Sequence, residues 1–214
     1  MSFQALVFDM DGLLMDSERV GLDVMRACGR LQGFDIPAAV VRETIGSNEQ
    51  SCGDYYHQFF PDLDTRRLFL DFTNAMREMA EQGKIPLKKG VGELLEEGKK
   101  RKIPMAVASS SDLGTIGIYL RSAGVISYFD ALITGDGLPS KPAPDVFLKA
   151  AAALNADPKC CLVLEDSVNG VKAGRAAGMT VVMVPDLIPC TDDLTPYVDH
   201  VLPDLSAVLP LLAL

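Results

Sequence analysis

The sequence is poor in the groups that hold soft metals or build disulfide scaffolds. Its five cysteines, Cys28, Cys52, Cys160, Cys161 and Cys190, are an odd number and include no Cys-x-x-Cys pair. Neither a disulfide framework nor a zinc site is therefore expected. Cys160 and Cys161 open an apolar run and read as buried thiols. Positive charge is also short: 20 Lys and Arg against 29 Asp and Glu leave a formal net charge of -9. That balance argues against a nucleic-acid backbone or an anionic membrane as partner. No apolar run approaches the ~18 residues that span a bilayer, and no basic region precedes a small-residue cleavage site near Met1. The expected location is the cytoplasm. Internal repeats and low-complexity tracts are lacking, and residues 16–83 show no strand pattern.

What is present begins with Leu6-Val7-Phe8-Asp9-Met10-Asp11-Gly12. An apolar run of this kind reads as a short buried strand, and it stops abruptly at two carboxylates. Residues i and i+2 of a strand share a face, so Asp9 and Asp11 can point into one site if the strand ends there. Held together, they need a cation, a shared proton or full solvation. Gly12 then allows a sharp turn. The plain alternative is a solvated Asp-x-Asp-Gly turn.

Beyond it, helical spacing is expected over 16–30, 37–44, 51–60 and 64–82. From residue 84 the pattern alternates. Helices are expected at 91–102, 112–123, 144–155 and 167–177, and strands at 103–108, 131–134, 161–164 and 180–184. An edge strand at 198–202 and a last helix at 204–212 complete the series. Alternation of this length implies a doubly wound α/β core with a mostly parallel sheet. The expected division is a core of residues 1–15 and 84–214, with 16–83 inserted as an all-helical domain. Ligands in such sheets bind beyond the carboxyl ends of the strands, where the insertion is placed to act as a lid.

Three later strand ends carry polar residues there too. Ser109-Ser110-Ser111-Asp112 leads from a strand into a helix N-terminus, which suits an anion but equally suits helix capping. Lys141 lies between prolines in Pro139-Ser140-Lys141-Pro142-Ala143-Pro144, a stiff setting for an ammonium, while taken alone the segment reads more simply as a surface lysine in a Pro-rich loop. Glu165-Asp166-Ser167 repeats the opening pattern of a buried strand ending in acids. Two acidic strand ends in one sheet, with no His or Cys, point to Mg2+ completed by waters and a substrate phosphate.

With these four strand ends in order, the chain resembles the haloacid dehalogenase superfamily, in the phosphotransferase branch with a helical cap. The subgroup it looks like contains β-phosphoglucomutase and the small sugar- and nucleoside-phosphate phosphatases, those acting on pseudouridine 5′-phosphate included. The resemblance implies Asp9 as nucleophile, Asp11 as general acid/base, Ser109 and Lys141 at the phosphoryl group, and Mg2+ held by Asp9, the Asp11 carbonyl and Asp166, with Glu165 close by. Ser110 and the cap loop Gly46-Ser47-Asn48-Glu49 are the expected substrate contacts. The partner implied is a small phosphorylated metabolite, and the chain a monomer or weak dimer. β-Phosphoglucomutase has a cap histidine where this chain has Gly21 or Val20, and a phosphate-gripping arginine where it runs to Glu49. Both departures favour hydrolysis over a phosphomutase. A phosphosugar-sensing module that does no chemistry would be expected to have lost one of the four motifs.

Overall fold

The computed structural model describes residues 3–45 and 49–213, so Gly46, Ser47 and Asn48 of the expected substrate loop lie outside the described residues. The chain enters the fold through β1 (Ala5–Phe8), whose four residues are fully buried. Leu6 and Phe8 pack on one side with Leu94 and Leu95, while Ala5 and Val7 pack on the other with Phe147 and Ala150. Burial on both faces is why the strand reads as a continuous apolar run.

Among the described residues six strands form one parallel sheet in the order β3-β2-β1-β4-β5-β6, with β2 (Met105–Ser109), β3 (Ala131–Thr134), β4 (Cys161–Glu165), β5 (Thr180–Met183) and β6 (His200–Val201). Phe8 lies opposite Val107 on one neighbour and Leu164 on the other. The residues that follow these strands therefore leave the sheet at nearly the same level. Helices α5 (Val91–Arg101) and α6 (Leu113–Ser122) cover one face, and α7 (Asp145–Ala153) and α8 (Val168–Ala176) the other. This is the doubly wound α/β core that the alternation implies.

The tail departs from expectation. The last segment, Leu205–Ala213, is a 3-10 helix, because Pro210 within it supplies no N–H and obstructs α winding. The edge strand shortens to His200–Val201, both exposed. Cys160 is only half-buried, and among the described residues no disulfide forms.

Between β1 and α5 run α1 (Ser17–Leu31), α2 (Ala38–Arg42), α3 (Glu49–His57) and α4 (Thr65–Glu81). They bury Leu22, Met25, Ile36, Tyr56 and Leu68 against one another in a cluster of their own. Two connections tie them to the sheet and are paired with each other. The Asp16 N–H donates to the Pro86 carbonyl at 2.9 Å, and the Lys88 N–H donates to the Leu14 carbonyl at 2.9 Å. Among the described residues no helix is long and apolar enough to cross a membrane.

Gly90, just after this junction, sits at φ +87°, and a Cβ there would stand 2.0 Å from the Ser206 backbone nitrogen. Gly90→Ala is expected to lower stability by at least about 2 kcal/mol, since left-handed strain and a backbone clash coincide. Urea unfolding of the two proteins measures it.

Candidate active site

Asp9 leaves β1 with its N–H donated to the Leu164 carbonyl on β4, and its side chain is 10% exposed. Lys141 reaches it from the loop before α7. The Lys141 ammonium, 8% exposed, donates to Asp9 Oδ1 at 2.5 Å, Glu165 Oε1 at 2.7 Å and the Ala108 carbonyl at 3.3 Å. One face of it lies 4.7 Å from the centre of the Phe147 ring. The loop thus delivers a buried cation, not a solvated lysine.

Glu165 is the anchor of this arrangement. Its Oε2 accepts from the Asp166 N–H, the Ser167 N–H and the Ser167 hydroxyl at 2.9, 2.8 and 2.9 Å, while Oε1 takes Lys141. Both oxygens are committed to protein donors. Gly170 makes room for them, since a Cβ there would lie 1.7 Å from Glu165 Oε1. Gly174 serves closeness differently, with its Cβ position 3.1 Å from Val163 and Val181 on the sheet. The glycine spacing in α8 therefore reflects both a carboxylate and a packing contact.

Asp11 has another environment. Its Oδ1 accepts from the Ser17 hydroxyl at 2.8 Å and its Oδ2 from the Ser111 hydroxyl at 2.9 Å. Both serines have a local reading in the sequence, Ser17 with Asp16 as the N-cap of the first inserted helix and Ser111 in the serine run that leads into α6, and neither was expected on Asp11. Ser17 looks like a helix cap, but Asp16 occupies the cap position, where it makes no side-chain cap bond, and Ser17 turns to Asp11. The serine run also divides its tasks. Asp112 caps α6 by accepting from the Thr115 N–H, Ser109 is buried and accepts from the Ser111 N–H at 3.0 Å, and Ser111 holds Asp11. Ser110 is exposed and faces a smaller cavity of about 230 Å³ beside Lys141 and Gly135.

Asp166 is buried beside Gly12, where a Cβ would meet Asp166 Oδ2 at 2.3 Å. No protein group among the described residues donates to its carboxylate. Burial, reinforced by Glu165 and Asp9, raises the Asp166 carboxyl well above the usual range. Burial also raises Asp9, against the opposing pull of Lys141. Burial alone would lower Lys141, but Asp9 and Glu165 outweigh it and hold its ammonium charged. Glu18, on the first turn of α1, is pushed up to about 7 by burial and then by Asp186 and Asp11.

Above these groups lies a cavity of about 620 Å³ between the sheet edge and the inserted helices. Asp11 and Ser111 line it from the core side, Ser17, Glu18, Leu22 and Met25 from α1, and Phe72, Met76 and Arg77 from α4. Of the expected loop contacts, Glu49 lines this cavity. Gly21 lines it as well, with Phe72 3.5 Å from where a Cβ would stand. His57 stands apart and bonds the Leu63 carbonyl at 2.9 Å, a packing role.

A family model described as haloacid dehalogenase-like hydrolase matches residues 3–178. The chain belongs to that family. It is 36% identical over 188 residues to hexitol phosphatase B of Escherichia coli K12, covering 85% of this chain and 83% of the relative. It is 32% identical over 191 residues to a probable pseudouridine-5′-phosphatase of Drosophila melanogaster, covering 84% and 80%. Among solved structures, a HAD family hydrolase from Deinococcus radiodurans R1, with bound phosphate and sodium, superposes with a TM-score of 0.83 at 25% identity, covering 99% of this chain and 95% of that one. Within the family, this chain is a phosphatase.

Glu165→Ala would leave the Asp166 and Ser167 N–H groups and the Lys141 ammonium short of an acceptor. Loss of one partner of a buried, hydrogen-bonded charge pair is expected to cost about 3–5 kcal/mol, read by chemical denaturation.

Proposed function

We propose that the protein is a Mg2+-dependent phosphomonoester hydrolase that acts on a small sugar or nucleoside phosphate through an aspartyl-phosphate. The observation that carries this reading is the unequal setting of Asp9 and Asp11: one carboxylate is paired with a buried ammonium, the other is held by two hydroxyls over the cavity. Equal environments would give two like groups; unequal ones give a nucleophile and an acid/base.

The donor set suits Mg2+. Asp9 and Asp166 are buried carboxyls raised by burial, and Asp166 lacks a protein donor among the described residues, so a hard divalent cation would relieve both. Among the described residues no three His, Cys, Asp or Glu side chains form a ready metal cluster. Asp9, Asp166 and the Asp11 carbonyl would hold it, while Glu165, with both oxygens committed, would steady Lys141 instead. When bound, the ion would neutralise phosphoryl charge as the dianion approaches Asp9.

The steps belong to the side chains. An Asp9 carboxylate oxygen forms the bond to phosphorus as the ester P–O bond breaks, and the Asp11 carboxylic proton passes to the departing alkoxide. A water then gives its proton to the Asp11 carboxylate and forms a new P–O bond while the Asp9–phosphorus bond breaks. Inorganic phosphate leaves and Asp9 is restored. Lys141 stays charged throughout beside the phosphoryl oxygens, with the Ser109 hydroxyl as a further donor.

Residues 16–83 are read as a cap, supported by their separate apolar cluster and paired connections. Hydrolysis is preferred to phosphomutation because Gly21 or Val20 stands where the resembling mutase has its cap histidine, and Glu49, not an arginine, lines the cavity from the expected loop.

Phosphate release from sugar phosphates, nucleoside monophosphates and pseudouridine 5′-phosphate, with Mg2+ and with chelator, tests this reading. Release is expected on one chemical class, abolished by chelator, and reduced by more than about 10³-fold in Asp9→Asn. Full activity in that variant would remove the covalent route. The pH dependence of stability has a fixed sign. Because the folded-state pKa values of Asp9 and Asp166 lie above their unfolded values, ionisation opposes folding. The Tm of metal-free protein is therefore expected to fall as pH rises from about 5 to about 7, and Asp9→Asn to flatten that slope. Differential scanning fluorimetry across the range measures it.

A further inference from the structure

Asp11 is held from two sides. Ser111 donates to its Oδ2 from the core, and Ser17, the first residue of α1, donates to its Oδ1. The orientation of Asp11 therefore depends on where the first turn of α1 stands relative to the sheet. Capping does not fix that turn, because the Asp16 side chain makes no cap bond. Asp16 Oδ1 lies 3.2 Å from Arg19 Nε and 3.6 Å from Lys88 Nζ. The same two cations converge on Oδ1 of Asp186, Arg19 Nη2 at 2.7 Å and Lys88 in a direct ion pair.

Asp186 is supplied by the core. It stands just past β5, beyond Val184, whose N–H donates to the Glu165 carbonyl at 2.8 Å. Its side chain is fully buried, and Oδ2 has no hydrogen-bond partner among the described residues. A buried oxygen without a donor costs stability, so the contact is not explained by stability alone. What the arrangement achieves is a grip on both chain connections at once, Arg19 on the outgoing one and Lys88 on the return. Leu187, the next residue, packs on the apolar cluster of the inserted helices.

We propose that Asp186 is a positioning residue for the Asp11 acid: by gripping Arg19 and Lys88 it sets the first turn of α1, and with it the Ser17 hydroxyl that orients Asp11. The inference rests on the phosphatase reading and adds to it a residue outside the four strand-end motifs. Asp186 acts at one remove, since it is not among the residues that line the cavity. A small displacement of Ser17 would misplace the proton donor without disturbing Asp9 or Lys141, which are held by other partners. The expected signature is therefore a loss confined to substrates whose leaving group needs a proton. Phenoxide needs one as it departs, whereas p-nitrophenoxide leaves without it, and the two esters are otherwise similar in shape.

The test measures kcat/KM for phenyl phosphate and p-nitrophenyl phosphate, with Mg2+, in wild type, Asp186→Ala, Asp186→Asn, Arg19→Ala, Ser17→Ala and the double variant Ser17→Ala/Asp186→Ala. Asp186→Ala is expected to lower the phenyl ester by about tenfold or more and the nitrophenyl ester by less than about twofold. Ser17→Ala should show the same selective loss, and the double variant no more than the larger single loss, since both changes act on one group. Asp186→Asn, which keeps an oxygen for both cations, should recover most of the activity on the phenyl ester. Circular dichroism and thermal unfolding establish that each variant is folded. Arg19→Ala, at a half-exposed side chain, should show a smaller loss of the same kind, and it decides the matter if Asp186→Ala does not fold. An equal loss on both esters, or no loss on either, would overturn the proposal and leave Asp186 a structural ion pair. Losses that add in the double variant would overturn it too, because Asp186 would then act by a route other than Ser17. Wild type active on the nitrophenyl ester alone would have no working acid to position, which also overturns it. Release from neither ester would instead sink the phosphatase reading on which the proposal rests.

Discussion

Four carboxylates crowd the ends of two adjacent strands, and one ammonium inside that crowd makes the arrangement tolerable. Asp9, Glu165 and Asp166 are each under a tenth exposed, and Lys141 bonds two of the three directly. A buried charge of this kind is stable only when it is paired and its remaining donors or acceptors are filled. Lys141 meets that condition through Asp9, Glu165 and the Ala108 carbonyl, and Glu165 through four donors. Gly12 and Gly170 follow from the same requirement, because any Cβ at either place would strike a carboxylate.

How much of this the sequence carried depends on what kind of force set each feature. The sheet was legible because period-2 and continuous apolar runs are imposed by burial on both faces, as in β1 and β4. Asp9, Asp11, Lys141, Glu165 and Asp166 each had an ordinary local reading as turn, cap or surface residue, and only the four strand ends in order, with the family resemblance they carry, singled them out; the fold brings Asp9, Lys141 and Glu165 into contact and Asp166 beside Gly12. Ser17 and Ser111 were not legible, because a hydroxyl at a helix start has a local use, and only the fold shows that both are spent on Asp11. The tail fell to a local constraint, with Pro210 overriding an apolar pattern that otherwise suits an α-helix.

The insertion gives the site its second half. Its helices carry an apolar cluster of their own, and the paired connections near Asp16 and Lys88 are stapled by Arg19, Lys88 and Asp186. The strand ends and their loops supply the carboxylate cluster and Lys141, and α1 and α4 supply apolar walls together with Glu18 and Arg77. Such a division lets the reacting groups stay constant in a scaffold while the facing surface is free to vary.

The central place of β1 also orders events in time. Its partners in the sheet are residues 105–107 and 161–164, the nearer almost a hundred residues further along the chain. During synthesis the first strand therefore emerges with nothing to pair with, while α1 to α4 can gather around Leu22, Tyr56 and Leu68 from local contacts alone. Closing the sheet waits for most of the chain to be made. The Asp9 end of β1 is thus the first part of the candidate site to be translated and among the last to be assembled.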